Sequence, residues 1–168
     1  MIGALLAPFN MVWAQSLTVL DEMSFGMTDV EVNPPAGTVQ MGPNGFIAYG
    51  TNLNGSGSGV AGKVQINGTT GQSVDIRCSA SATIARVGGD SIPISPIKVS
   101  FGTAQNYASA ADCTGTGVTV LTETLSATAT DNIAYFGGEL DVNGLNINGT
   151  YNTTLANGVP LTVTVIFN

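Results

Sequence analysis

Apolar and polar residues alternate with a period of two along most of the chain after Gln15, and no amphipathic helix longer than a couple of turns is visible. Alternation dominated by β-branched residues is typical of strands that bury one face. The alternating apolar runs are Leu17 and Val19; Val64 and Ile66; Val74, Ile76 and Cys78; Val118, Val120 and Thr122; Leu140 and Val142; and Leu161, Val163, Val165 and Phe167. The pattern predicts an all-β protein.

Glycines and Asn-Gly pairs separate these runs, as expected of tight hairpin turns. The separators are Gly37, 55–59, Gly71, Gly88-Gly89, Asn106, Gly115, Gly117, Gly137-Gly138, Asn143-Gly144, Asn148-Gly149 and Asn157-Gly158. Short strands about 8–12 residues apart with such turns predict an antiparallel β-sandwich. The segment Asn52–Gly59 is predicted to be a flexible loop. Pro93 and Pro96, set among Ile92, Ile94 and Ile97, indicate an edge strand or a bulge.

Composition narrows the class of protein further. Charged residues make up only 9% of the 168 residues, against about a quarter in typical domains, and there is no histidine. Apolar residues make up 43%, and the mean hydropathy is +0.29, which excludes ordinary disorder. We therefore predict that residues 15–168 form a single β-sandwich domain.

The charge balance bears on the partners that the chain can have. The net charge is −7, with eleven acidic residues against Lys63, Arg77, Arg86 and Lys98. Such a chain repels phosphate backbones and anionic membrane surfaces. We predict no nucleic-acid partner and no membrane span, since the apolar run at the N-terminus is too short for one.

That N-terminal run, residues 1–14, carries no charge and ends in Val12-Trp13-Ala14. Val12 and Ala14 suit the −3 and −1 positions of a signal-peptidase site. The basic segment that opens a signal peptide is missing, since no Lys or Arg occurs before Lys63, and we therefore expect a signal peptide truncated at its N-terminus. We expect cleavage after Ala14 and a mature chain that starts at Gln15; a short buried strand or helix is the alternative.

The two cysteines, Cys78 and Cys113, predict one disulfide in an exported chain. Closing a loop of this length stabilises a fold by roughly 3–4 kcal/mol in the chain-entropy account. Two thiols without histidine do not make a zinc site, and the spacing is not that of a CxxC redox pair.

Several short motifs occur in a suggestive order. Leu17-Thr18-Val19 leads into Ser24-Phe25-Gly26, and a Gly-Gly-x-Leu-x-Val strand starts at Gly137. Gly149-Thr150-Tyr151 then precedes the alternating last strand. Over nearly the whole mature chain this order resembles the exported bacterial domain-of-unknown-function family 4402, which is similar to spore-coat-U-type and chaperone–usher pilin domains.

The resemblance implies a secreted immunoglobulin-like sandwich that assembles on the cell surface, completed by a strand from a neighbouring subunit. Such strand addition uses main-chain hydrogen bonds for affinity and alternate side chains for specificity. The implied donor strand is Ser16, Leu17, Thr18, Val19 and Leu20. The implied acceptor edge is Leu161, Val163, Val165 and Phe167. The implied partners are further copies of the chain, with a periplasmic chaperone and an outer-membrane usher.

This chain departs from typical pilins in two respects. The cysteine pair lies in the middle of the chain rather than near the first strand, and Asp21 and Glu22 end the donor run early. A domain that completes its own sandwich therefore remains an alternative.

The chain offers little chemistry for catalysis. Without histidine it has no Ser-His-Asp or Cys-His arrangement. The acidic residues Asp21, Glu22, Asp29 and Glu31 are predicted to form a solvated turn rather than a carboxylate pair. Asp141-Val142-Asn143-Gly144 is better explained by a hairpin than by a calcium loop. We predict no enzyme activity, no cofactor and no metal.

Two functions remain. The first is a structural subunit of a bacterial surface filament or coat, exported and self-assembling by strand addition. The second is a monomeric secreted adhesin or binding module that uses loops such as Asn52–Gly59 or Ala104–Asp112.

Overall fold

The computed structural model describes residues 15–32, 37–85, 91–142 and 158–168, and the side chains of 27–32 are not described. Within these ranges the chain forms β-strands and one short 3₁₀ turn, Ala129–Asp131. The strands are β1 (Ser16–Asp21), β2 (Met27–Val32), β3 (Thr38–Met41), β4 (Ile47–Tyr49), β5 (Leu53–Gly57), β6 (Gly62–Asn67), β7 (Ser73–Cys78), β8 (Ala82–Ala85), β9 (Ser91–Phe101), β10 (Ala111–Asp112), β11 (Leu121–Thr124), β12 (Ile133–Asp141) and β13 (Val163–Phe167).

Every pairing between the described strands is antiparallel. The antiparallel, sandwich-like all-β fold predicted from the sequence is thus confirmed. No helix in the described ranges is both long enough and apolar enough to cross a membrane.

The larger sheet is built around β12. One edge of β12 pairs with β9, and the other pairs with β6 along its first half and with β3 along its second. β1 lies outside β6, β4 lies outside β3, and β8 and β10 lie outside β9. The smaller sheet has the order β11-β7-β13, and β2 and β5 form a separate two-stranded pair.

One core cluster joins the two larger sheets. From the larger sheet, Phe136 and Leu140 are almost fully buried, and from the smaller sheet Val74 and Ile76 are fully buried. These residues occupy alternate positions on β12 and β7, as the period of two requires. Burial of an apolar side chain of this size stabilises the fold by about 1.5–3 kcal/mol.

Pro96 of β9 lies in a bulge. The register between β12 and β9 shifts between Gly138, opposite Ile97, and Leu140, opposite Ile94. β9 therefore has one residue more than β12 in this interval, as a bulge requires. As a whole β9 is not an edge strand, since β12 lies on one side and β8 and β10 on the other, although Pro93 itself has a partner only in β8.

Two sequence predictions about glycine-rich segments are also wrong. The predicted loop Asn52–Gly59 contains β5, which pairs with β2. Gly137 and Gly138, predicted as separators, lie in the middle of β12. Glycine is needed there because neighbouring groups leave no room for a Cβ atom. At Gly137 the obstruction is the main chain of 41–43, and at Gly138 it is the Ile94 side chain.

Some sequence predictions concern residues that lie outside the described ranges. They are the signal peptide at 1–14, the turns at 88–89, 143–144 and 148–149, and the Gly-x-Tyr motif at 149–151. These stay predictions, as does the extent of the domain from 15 to 168.

Candidate strand-addition site

β13 is an edge strand of the three-stranded sheet. It pairs with β7, and no other described strand lies along its second edge. The Ser79 amide donates to the Thr162 carbonyl and the Asn168 amide donates to the Ser73 carbonyl, both at 2.9 Å. In an antiparallel pair such bonds involve alternate residues. The main-chain groups of Val163, Val165 and Phe167 therefore point away from β7.

The inward side of β13 is apolar but only half covered. Val163, Val165 and Phe167 lie opposite Cys78, Ile76 and Val74, all of which are fully buried. Opposite residues of an antiparallel pair share a face of the sheet, so the three β13 side chains face the core. They pack against it and are nevertheless only half-buried. The core is thus left partly open along this edge.

β1 lies at the edge of the larger sheet and also leaves apolar groups uncovered. Leu17 lies opposite Ile66, which is buried in the core, and so faces inward. Leu17 is nevertheless 41% exposed, Val19 is 66% exposed and Leu20 is 45% exposed. The register shifts between Val19 and Asp21, so Leu20 sits in an irregularity of the pairing. β1 therefore contributes little apolar burial to its own domain.

Exposed polar contacts fasten β1 to β6. The Asn67 side-chain amide donates to the hydroxyls of Ser16, at 3.3 Å, and Thr18, at 3.2 Å. The Lys63 ammonium pairs with the Asp21 carboxylate at 2.6 Å, with side chains 37% and 40% exposed. A solvent-exposed ion pair of this kind contributes only about 0–1 kcal/mol. β1 is therefore held mainly by its main-chain hydrogen bonds.

The end of β13 packs near the turn that follows β6. A Cβ atom on Gly68, which follows β6, would lie 3.1 Å from Cε1 of Phe167. The first residue of β1, Ser16, pairs with Asn67, the residue before Gly68. Phe167 of β13 and Ser16 of β1 are thus both close to the 67–68 segment. Within the chain the two strands belong to different sheets and do not pair.

The predicted disulfide between Cys78 and Cys113 is confirmed, with a Cα–Cα distance of 5.2 Å. It joins the end of β7, in the smaller sheet, to the residue after β10, in the larger sheet. Both cysteines are buried. An intramolecular disulfide is consistent with an exported protein.

The structure thus describes every residue of the predicted donor and acceptor. Ser16, Leu17, Thr18, Val19 and Leu20 are all exposed in β1, and all of them except Leu20 pair with residues of β6 in the same chain. Of the acceptor residues, Leu161 precedes β13 and packs half-buried against the core, while the other three lie in β13. Their roles as donor and acceptor stay predictions.

The predicted acidic turn is only partly described. Asp21 pairs with Lys63 and Glu22 is exposed, whereas the side chains of Asp29 and Glu31 lie outside the description. Among the described residues, no group of three or more cysteine, aspartate or glutamate side chains could hold a metal ion.

The outer face of the larger sheet carries a polar network that the sequence did not predict. The Tyr107 hydroxyl donates to Glu139 Oε2 at 3.0 Å, and the Gln40 amide donates to the same oxygen at 2.7 Å. The Lys98 ammonium pairs with Asp112 at 2.6 Å and lies 4.8 Å from the centre of the Tyr107 ring. These contacts anchor the segment 102–110 to the sheet. No sequence motif predicts these contacts, because the partner residues are far apart in the chain.

The network also changes the acidity of its tyrosine. Burial raises the pKa of Tyr107 well above its ordinary value, and the hydrogen bond to Glu139 and the charges of Glu139 and Asp112 raise it further. The hydroxyl therefore stays protonated, as a donor must.

We expect Glu139→Ala to lower the free energy of unfolding by about 1–3 kcal/mol, because the Tyr107 hydroxyl and the Gln40 amide both lose their acceptor. Urea denaturation followed by circular dichroism measures the change. Glu22→Ala, which removes an exposed carboxylate, is the control and should change stability little. Equal stabilities of the two variants would contradict this structural role of the network.

Glu123 is an inward-facing carboxylate on β11. It lies opposite Val74, which is fully buried, and burial raises the pKa of Glu123 above its ordinary value of 4.5. The folded state therefore binds this proton more tightly than the unfolded chain does. For this group, stability is highest below pH 4.5 and falls as the pH rises through the folded pKa.

We expect Glu123→Gln to remove that fall, so that the variant gains stability over the native chain as the pH is raised from 4 to 7. Urea denaturation of both proteins across this range measures the difference. A constant difference at all pH values would show that the ionisation of Glu123 is not responsible.

No family model, curated protein or solved structure matches this chain.

Proposed function

We propose that this protein is a structural subunit of a bacterial surface filament or coat. Each subunit inserts its N-terminal strand, Ser16–Leu20, along the open edge of β13 in a neighbouring subunit. The observation that carries the proposal is the β13 edge itself. It has five residues in strand conformation, outward main-chain groups on Val163, Val165 and Phe167, and apolar side chains that stay half exposed.

Two other edge strands of the larger sheet are less suited to accept a strand. β4 has three residues and β10 has two, too few for a stable pairing. Proteins commonly keep edge strands short to prevent unwanted pairing. β13 is longer than these two strands, and its apolar inward side favours it as the acceptor.

The donor strand has the matching pattern. Leu17 and Val19 lie on one face, while Ser16 and Thr18 lie on the other. Moving β1 from its own β6 to a second subunit's β13 exchanges one set of main-chain hydrogen bonds for another. The exchange also buries Leu17 and Val19 beside Val163 and Val165, which stabilises the assembly by up to about 1.5–3 kcal/mol per side chain. The hydrogen bonds exchanged are of the same kind, so the added burial of apolar side chains is what would favour the assembly.

A reversible lock on the donor tests the proposal. Val19 and Val64 lie directly opposite each other. The Ile66 amide donates to the Asn132 carbonyl, toward β12, so Val64 and Val19 form a non-hydrogen-bonded pair. Such pairs have Cα atoms about 4.5 Å apart, within the range of a disulfide. In Val19→Cys/Val64→Cys, oxidation should hold β1 on β6 and give monomers, and mild reduction should restore polymers. Size-exclusion chromatography and negative-stain electron microscopy measure both.

The acceptor edge is blocked by Val165→Glu, which places a carboxylate on the inward side of β13. Thr164→Glu adds the same charge on the outward side of the same strand and is the matched control. We expect Val165→Glu to give monomers and Thr164→Glu to polymerise. Mixing the oxidised donor-locked chain with Val165→Glu should give dimers only, because one chain can only accept and the other can only donate.

Other results would overturn the proposal. Native protein that stays monomeric at high concentration, or Val165→Glu that polymerises normally, would exclude strand addition at β13. A monomer that binds a glycan or a protein through Ala104–Asp112 would instead support the adhesin alternative.

A further inference from the structure

The three-stranded sheet has a second edge, along β11. The Leu125 amide donates to the Gln72 carbonyl at 2.9 Å, so odd-numbered residues of this segment bond to β7. The main-chain groups of Thr122 and Thr124 therefore point away from β7. No described strand pairs with β11 on that side. Judged by main-chain hydrogen bonding alone, both edges of this sheet could accept a strand.

The two edge strands, β11 and β13, differ in the side chains that face the core. On β13 the inward side chains are all apolar, whereas on β11 Leu121 and Glu123 face inward, opposite Ile76 and Val74. Glu123 is half-buried, and no described side chain hydrogen-bonds or ion-pairs with it. The residue opposite it, Val74, is apolar and fully buried, which is consistent with the upward direction of the Glu123 pKa.

A strand added at β11 would cover Glu123. The carboxylate would lose its remaining contact with water without gaining a partner, and burying an unpaired charge costs several kcal/mol. An inward-pointing charge is one of the devices by which proteins prevent strands from pairing at an edge. The same strand added at β13 would meet only apolar side chains.

We infer that Glu123 restricts strand addition to the β13 edge, so that each subunit accepts a single strand and assembly is linear. The inference rests on the proposed function, since it concerns which of two edges takes the donor strand.

The number of donor strands bound per subunit tests the inference. The oxidised donor-locked chain, Val19→Cys/Val64→Cys, keeps β6 covered and leaves β11 and β13 open. The probe is a synthetic peptide of residues 15–21. Native mass spectrometry and isothermal titration calorimetry should give one peptide per chain. Adding Glu123→Val should raise this to two, whereas the matched control Thr122→Val, on the outward side of β11, should leave it at one.

A second pair of variants isolates the β11 edge. In the donor-locked background, Val165→Glu should abolish peptide binding, and Glu123→Val added to it should restore one peptide. If Glu123→Val unfolds the chain, Glu123→Gln keeps the side-chain volume, removes the charge and should shift the count in the same direction. In full-length chains, Glu123→Val should give branched or laterally joined filaments under the electron microscope.

The outcomes separate this inference from the proposal beneath it. One peptide per chain in both the native and the Glu123→Val backgrounds would overturn the role of Glu123 and leave strand addition at β13 intact. No peptide bound to the donor-locked chain would overturn strand addition itself. Two peptides bound with Glu123 unchanged would also overturn the inference.

Discussion

Replacing Cys78 and Cys113 together by alanine is expected to lower the free energy of unfolding by about 4 kcal/mol. The disulfide closes a loop across a sequence separation of 35 and ties β7 of the smaller sheet to the larger sheet. Its loss enlarges the unfolded ensemble, and this entropy gain makes up most of the expected change in the chain-entropy account. Alanine avoids the further cost of burying two serine hydroxyls at positions that are 0% and 3% exposed.

Urea denaturation of the oxidised protein, the reduced protein and the double variant measures this effect. The reduced protein and the double variant should agree within about 1 kcal/mol, because both lack the same cross-link. The denaturant slope should rise in both, since the unlinked chain exposes more surface when it unfolds. A loss below about 1 kcal/mol would show that the two sheets hold this loop without the covalent bond.

Gly137→Ala is expected to be the most damaging single-methyl addition in β12. A Cβ atom at Gly137 would collide with the Met41 carbonyl oxygen and lie 2.7 Å from the Gly42 carbonyl carbon. These are main-chain atoms, which cannot relieve the clash by changing rotamer as a flexible side chain can. Overpacking of this kind costs about 1–3 kcal/mol, and occasionally more. The backbone of 41–43 would have to move away from the sheet.

Gly117→Ala is the matched control, because nothing lies within 4 Å of a Cβ atom at that position. It should be neutral, or stabilise the protein by up to about 1 kcal/mol, through the smaller entropy of the unfolded chain. Thermal denaturation of both variants gives the comparison. Similar melting temperatures of the two variants would show that the backbone of 41–43 can shift at little cost in stability.

The sequence anticipated part of the candidate site. Alternation identified Leu17, Val19, Val163 and Val165 as strand residues, and the cysteine count led to the disulfide. The inward carboxylate of Glu123 was missed because the sequence pattern placed Val118, Val120 and Thr122 on one buried face. That prediction is wrong for this strand: Val118 and Thr122 are exposed, and Leu121 and Glu123 lie opposite the buried Ile76 and Val74. The Tyr107–Glu139 contact was missed because its partners are 32 residues apart.

Errors in the predicted elements share one cause. The 52–59 segment, rich in glycine, serine and asparagine, has the composition of a loop, yet it contains β5 because β2 provides hydrogen-bond partners. Gly137 and Gly138 belong to a strand because other parts of the chain occupy the space beside their Cα atoms. In both cases long-range contacts override local preference.

The amino-acid sequence by itself determined the class of this protein: an antiparallel, disulfide-linked β-sandwich whose strands follow a period of two. That period depends only on each strand having one buried face, which is a local property. Tertiary structure alone decided which strands lie at sheet edges, because a central strand and an edge strand show the same alternation. Edge position depends on hydrogen-bond partners that are distant in the chain. For that reason the half-exposed apolar side of β13 and the inward Glu123 of β11 became visible only in the folded molecule.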